Sequence, residues 1–90
     1  MKTPFDYGAM VNSSSKRVAR ASFLVIDSLQ QFQPHEQPLA AAAVFLLICE
    51  KRGAAAQDVL GAIKNLLNDE RHGGLEQFRA LRTYIDNELT

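Results

Sequence analysis

Little in this chain carries chemistry. Cysteine occurs once, at Cys49, so no intrachain disulfide can form and a reducing cytosol is the expected setting. Histidine occurs only at His35 and His72. His35-Glu36 opens like a zinc-protease helix motif, which needs a second histidine four residues on so that both imidazoles share one helix face. Position 39 is Leu39, and Pro38 disfavours a regular helix there, so no metal site is expected. Gly73-Gly74 lacks the lysine, the hydroxyl and the preceding strand of a phosphate loop. A surplus of either charge is also missing, because ten Lys and Arg balance ten Asp and Glu. A non-specific nucleic-acid binder needs a basic surplus to displace counterions, and a mimic of nucleic acid needs an acidic one. The balance points away from both. The segment Met1–Asp6 lacks the apolar core of a signal peptide, so a cytoplasmic location is expected.

No apolar run approaches the roughly 20 residues that cross a bilayer. The longest spans residues 39–49, from Leu39 to Cys49, with four alanines at 40–43. Consecutive alanines favour helix over strand. A helix apolar all round must be covered by other elements. The run therefore predicts a buried central helix in a small all-helical domain. At 90 residues, 47 % of them hydrophobic, the chain suits one globular domain and is too apolar for disorder.

The punctuation divides the chain into four helices behind an irregular arm over 1–12, where Pro4 and Gly8 break regularity. Ser13, Ser14 and Ser15 are N-cap candidates for a helix over 14–32. Its main stripe is Val18, Ala21, Val25, Leu29 and Phe32, widened by Phe23, Leu24 and Ile26. Apolar residues on more than one face of so small a domain predict self-association, as a homodimer. Gln33-Pro34 ends this helix. The second helix covers 36–52, with Pro38 in its first turn, Lys51 and Arg52 in its last, and Gly53 as a left-handed cap. The third covers 56–68 with Val59, Leu60, Ile63, Leu66 and Leu67 on its apolar face, and Gly61 marks close packing. Residues 71–74 form a loop. The fourth helix covers 75–89, with Leu75, Phe78, Leu81, Ile85 and Leu89 facing inward. The fold class is thus all-α, a compact four-helix bundle-like domain with a buried second helix.

No acid–base pair or nucleophile–base pair can be placed, so no catalytic residue and no cofactor is expected. Cys49 ends the apolar run, where a thiol behaves as a small hydrophobe rather than a nucleophile. His72 reads as a solvated loop residue. The surface feature with most weight is Lys16, Arg17 and Arg20. They fall in the first turns of a helix, where the dipole disfavours each cation by up to about 1 kcal/mol. No acid lies within one turn of Lys16 or Arg17. Arg79 and Arg82 form a second basic pair on the fourth helix. These five residues are the candidate binding site for a protein partner with an acidic surface.

An alternative is a small DNA-binding or packaging-type regulator that uses the basic start of the first helix or a helix-turn-helix over 45–66, with Cys49 as the small residue before the turn, Gly53 making the turn, and Val59 locking the second helix. The helix that would read DNA offers Gln57, Asp58, Lys64 and Asn65, with an acid where phosphates would approach. Any two packed helices joined by a short glycine turn share this pattern.

The stretch Pro34-His35-Glu36-Gln37 through Phe45-Leu46-Leu47-Ile48-Cys49-Glu50-Lys51, then Ala56-Gln57-Asp58-Val59-Leu60, then Phe78-Arg79-Ala80-Leu81-Arg82-Thr83-Tyr84-Ile85-Asp86-Asn87-Glu88-Leu89, resembles small uncharacterised proteins encoded by tailed bacteriophages. The resemblance carries over no catalytic residue. It implies a cytoplasmic protein made in an infected bacterium, of a kind that often acts by binding a host protein; with no catalytic pair to place, the expected role is a non-enzymatic factor that binds and modulates that protein.

Overall fold

The computed structural model describes residues 4–71 and 76–89, with side chains through 68 in the first stretch. Among the described residues the secondary structure is all helical: α1 Tyr7–Val11, α2 Ser15–Leu29, α3 Glu36–Arg52, α4 Ala56–Arg71 and α5 Glu76–Glu88. Of the loop predicted over 71–74, Arg71 ends α4 and the rest, His72 included, lies outside the described residues, as does Leu75, predicted to face inward.

Local chemistry explains the boundaries. The arm, expected to be irregular, contains a short helix because Asp6 caps it: the Asp6 Oδ1 accepts the Ala9 N–H at 2.8 Å. The arm is tied down, since the Tyr7 hydroxyl accepts the Ala55 N–H at 2.8 Å. That bond satisfies a backbone donor at the start of α4. Ser14 is the N-cap of α2, its hydroxyl accepting the Arg17 N–H at 3.3 Å. The turn into α3 is stitched from both sides. Gln37 Nε2 donates to the Leu29 and Phe32 carbonyls at 2.9 and 3.2 Å, while Glu36 Oε1 accepts the Gln33 N–H at 2.9 Å. Gly53 ends α3 at φ 71°, as expected. The Ala54 N–H donates to the Cys49 carbonyl and the Gly53 N–H to the Glu50 carbonyl, at 2.9 and 3.3 Å. These two bonds form a Schellman cap, which needs a left-handed residue at Gly53.

The core is small and lies among α2, α4 and α5. Ala19, Phe78 and Leu81 are buried, and Val18, Phe23, Ile26, Ile63, Leu66, Leu67 and Ile85 pack around them. Phe78, at 1 % exposure, is the largest side chain fully buried. Ala19 faces it from α2, and its short side chain lets α5 approach. The stripe expected on α2 is rotated: Val18, Phe23 and Ile26 turn inward, while Ala21, Leu24 and Val25 are exposed. On α4, Leu60 is exposed but the rest of the predicted face is turned in.

The expected burial of the 36–52 helix does not hold in this chain. Within α3 only Cys49 is buried. Leu39, Leu46 and Leu47 are 73 %, 54 % and 64 % exposed, and Val44 and Ile48 also lie mostly in water. The physical reason is that α2, α4 and α5 each turn an apolar face to the shared cluster around Phe78, and these three faces cover one another. Helix α3 is left on the outside, packed chiefly against α4. Its least exposed positions, Gln37, Ala41, Phe45 and Cys49, recur every four residues along one side. One neighbour covers one side and no more. The chain is accordingly elongated, with extents of 44 × 30 × 18 Å.

Gly61 was expected to mark close packing. It is exposed, and a side chain added there meets nothing within 4 Å. Interior helical glycine costs about 0.8–1.0 kcal/mol relative to alanine. Gly61→Ala should therefore stabilise the domain by about 0.5–1 kcal/mol in chemical denaturation. A loss of stability would show that this face of α4 is covered.

Candidate functional site

The candidate surface begins at the Ser14 cap. Fixing the first turn of α2 there places Lys16, Arg17 and Arg20 in its first two turns, where no acidic residue accompanies them. All three are exposed. Lys16 and Arg20 are four residues apart and so share one side of the helix. That side meets α5: with Ala19, Phe23, Gln77 and Ala80 they line a shallow, mostly apolar depression along the α2–α5 seam. Arg79 lines the next depression along the same seam together with Glu76 and Glu88, and that depression shares Phe23 and Ala80 with the first. The fold thus gathers Lys16, Arg20 and Arg79 around one aromatic ring, although they are far apart in sequence.

Two of the five candidate residues fall elsewhere. Arg17 lies round the helix, in a hollow with Ser13, Ser14, Val18 and Ala21. Arg82 sits between α4 and α5, beside Lys64, Asn65 and Asn68. The expected cluster of Lys16, Arg17 and Arg20 and the expected pair of Arg79 and Arg82 are both divided, and the five residues lie on three faces, three of them along the α2–α5 seam.

The seam is closed at its other end by a polar group that sequence reasoning did not find. The Tyr84 hydroxyl donates to Asp27 Oδ1 and accepts from Gln30 Nε2, the latter at 2.9 Å. The Tyr84 ring meets Phe23 edge to face at 5.1 Å between centroids and 68° between planes. The phenol titrates above the ordinary tyrosine value of 10.0, chiefly because its hydrogen bond to the Asp27 carboxylate exists only while it is protonated. Desolvation acts in the same direction. This cluster sets the Tyr84 ring against Phe23, which lines both depressions. No local pattern announces it, since Asp27 and Tyr84 lie 57 residues apart.

The remaining chemistry-bearing residues do not assemble. Cys49 is a buried free thiol at the inner side of α3. His35 sits at the N-cap position of α3, where its side chain makes no capping hydrogen bond. Among the described residues no group of three or more His, Cys, Asp or Glu could hold a metal ion. Nor is any described helix long and apolar enough to cross a membrane. The α3–α4 turn, Gly53 to Ala55, has the brevity of a helix-turn-helix. The exposed positions of α4 after it include Gln57, Gly61, Lys64, Asn65 and Asn68, with Asp58 exposed at its start. One cation on such a face is a poor match for a phosphate backbone.

No protein-family model matches this chain, and neither does any curated protein or solved structure.

Proposed function

We propose that the protein is a small non-enzymatic interaction module that docks an acidic segment of a protein partner along the α2–α5 seam. The observation that carries this reading is the placement of Lys16 and Arg20 on an apolar depression floored by Phe23 and lined by no acid, with Arg79 in the depression next to it. Cations at the start of α2 stand where the helix dipole opposes them, a placement that folding alone does not reward. An approaching carboxylate is favoured by those cations and by the same dipole. The apolar floor beside them suits an aliphatic or aromatic side chain next to the acid, which gives a contact more than charge alone. The resemblance to phage proteins makes the partner a host protein, bound in the bacterial cytoplasm and modulated by the contact.

The test is a titration with a labelled peptide that alternates Glu with Leu, read by fluorescence anisotropy. Reversing Lys16, Arg20 and Arg79 together to Glu removes three exposed pairings worth about 0.5 kcal/mol each, so affinity should fall about tenfold or more. Arg17→Glu, off the seam, should change it little. Binding should weaken moderately with salt. Equal binding by the triple variant, with circular dichroism unchanged, would remove the seam as the site.

The short turn at Gly53 favours a second reading, in which α3 and α4 act as a DNA-binding pair. A mobility shift of duplex DNA at physiological salt, falling steeply as salt rises, would put that reading first. Retention of the shift by the triple variant would locate it on α4.

A further inference from the structure

The outer side of α3 is a second surface, independent of the α2–α5 seam. With 3.6 residues per turn, the exposed apolar positions 39, 40, 42, 43, 44, 46, 47 and 48 cover about 240° of the helix circumference. That arc is wider than the roughly 100° stripe a helix normally turns to its own core. Nothing charged interrupts it between Glu36 and Glu50.

The size of the uncovered surface bears on what covers it. The chain exposes 7009 Å², whereas a folded monomer of 10.0 kDa exposes about 5,200 Å². The excess of about 1,800 Å² is spread over the whole elongated chain, and a standard interface takes roughly 800 Å² from each partner. The radius of gyration of 13.9 Å likewise exceeds the roughly 12.2 Å of a compact chain this long.

The shape of the face favours a copy of itself. Its N-terminal half is a hollow: Phe32, His35, Glu36 and Leu39 surround the small Ala40 and Ala43. Its C-terminal half is the reverse, with the bulky Val44, Leu46, Leu47 and Ile48 standing in water. An antiparallel copy lays the bulky half of each helix on the hollow half of the other. With a two-fold axis between Ala43 and Val44, Leu47 of one chain meets Ala40 of the other. The same register sets each Glu36 against the Lys51 of the other copy and opposes the two helix dipoles. The formal net charge is zero, so two copies meet no overall repulsion.

We propose that the protein is a homodimer whose two α3 helices pair antiparallel through this face. The assembly is isologous, as a two-fold dimer requires. It leaves the α2–α5 seam of each copy open, so the dimer is bivalent toward an acidic partner. The pairing itself does not depend on the seam's function.

Sedimentation equilibrium of the full chain at micromolar concentration tests it. The expected species has twice the mass of the 10.0 kDa chain. Leu47→Glu places a carboxylate at both symmetry-related contacts and should weaken association about 100-fold or more. Its circular dichroism and its affinity for the acidic peptide should remain. Mild oxidation of Ala43→Cys should give a crosslinked dimer on a non-reducing gel. Wild type, whose Cys49 is buried, should give none. Leu39→Cys should crosslink poorly, because antiparallel pairing separates the two copies of position 39. A wild-type chain that sediments as a monomer, or a dimer indifferent to both Leu47→Glu and Ala43→Cys, overturns the proposal. Crosslinking through position 39 as readily as through 43 overturns the antiparallel register. A monomer that floats with neutral phosphatidylcholine vesicles assigns the face to a lipid surface instead.

Discussion

Phe78→Ala is expected to cost about 3–5 kcal/mol, the range for truncating a buried phenylalanine. Phe78 is 1 % exposed and stands against Ala19 where α5 meets α2. Alanine in its place removes the largest apolar contact in the core and leaves a cavity. The surrounding helices cannot easily close it, because Ala19 is already short. A domain of this length has a total stability of about 5–13 kcal/mol, so the loss takes a large part of it. Urea denaturation followed by circular dichroism should show the midpoint falling sharply, or no cooperative transition at all. A cost under about 1 kcal/mol would mean that the α2–α5 contact is not the centre of the fold.

The parts of the fold legible in the sequence are those governed by local chemistry. Ser14 starts α2, and Gly53 stops α3 through a cap that only a left-handed residue completes. Phe78, Leu81 and Ile85 all turn inward on α5, because that helix has one apolar stripe and one way to bury it. Helix α2 was harder. Its apolar residues occupy more than one face, and periodicity alone could not say that Phe23 and Ile26 go in while Ala21 and Val25 stay out. The choice is made by α5, through a contact between residues about 60 positions apart. Helix α3 shows the same limit more sharply. An unbroken apolar run says that a surface needs covering and does not say by which chain. Within one copy, the stripes of α2, α4 and α5 match one another and leave α3 outside.

The candidate site divides along the same line. Three cations at the start of one helix are visible in the sequence, and so is their conflict with the helix dipole. Their company is not. Arg79 joins Lys16 and Arg20 only because α5 packs on α2, while Arg17, next in sequence to Lys16, is carried round to another side. The bond from Tyr84 to Asp27, beside Phe23, has no sequence signature. A seam on α2 and α5 that mixes charged side chains with an apolar floor, and an uncharged apolar face on α3, give the molecule two separate surfaces on different elements. Substitutions on one should leave the other intact.

The same substitution on two helices should give opposite results, and this contrast has the largest expected effect. Leu81→Asp should prevent folding. Leu81 is 8 % exposed and belongs to the buried cluster with Ala19 and Phe78. Losing the leucine costs about 2–5 kcal/mol, and holding an unpartnered carboxyl there costs about 1–3 kcal/mol more even when it is protonated. The sum is comparable to the whole stability of the domain. Leu46→Asp, read from the sequence alone, should be equally harmful, since Leu46 sits in the middle of the apolar run. In the structure Leu46 is 54 % exposed. A carboxylate there keeps its water and sacrifices about 0.5 kcal/mol of helix propensity. The variant should keep its helical circular dichroism and still unfold cooperatively, with its melting temperature lowered chiefly by the lost pairing and so close to that of wild type diluted below its dimer range. Thermal melts of the two variants beside wild type decide the matter. A Leu46→Asp chain as unfolded as Leu81→Asp would mean that α3 is covered within a single copy after all, and the outward face described for it would have to be given up.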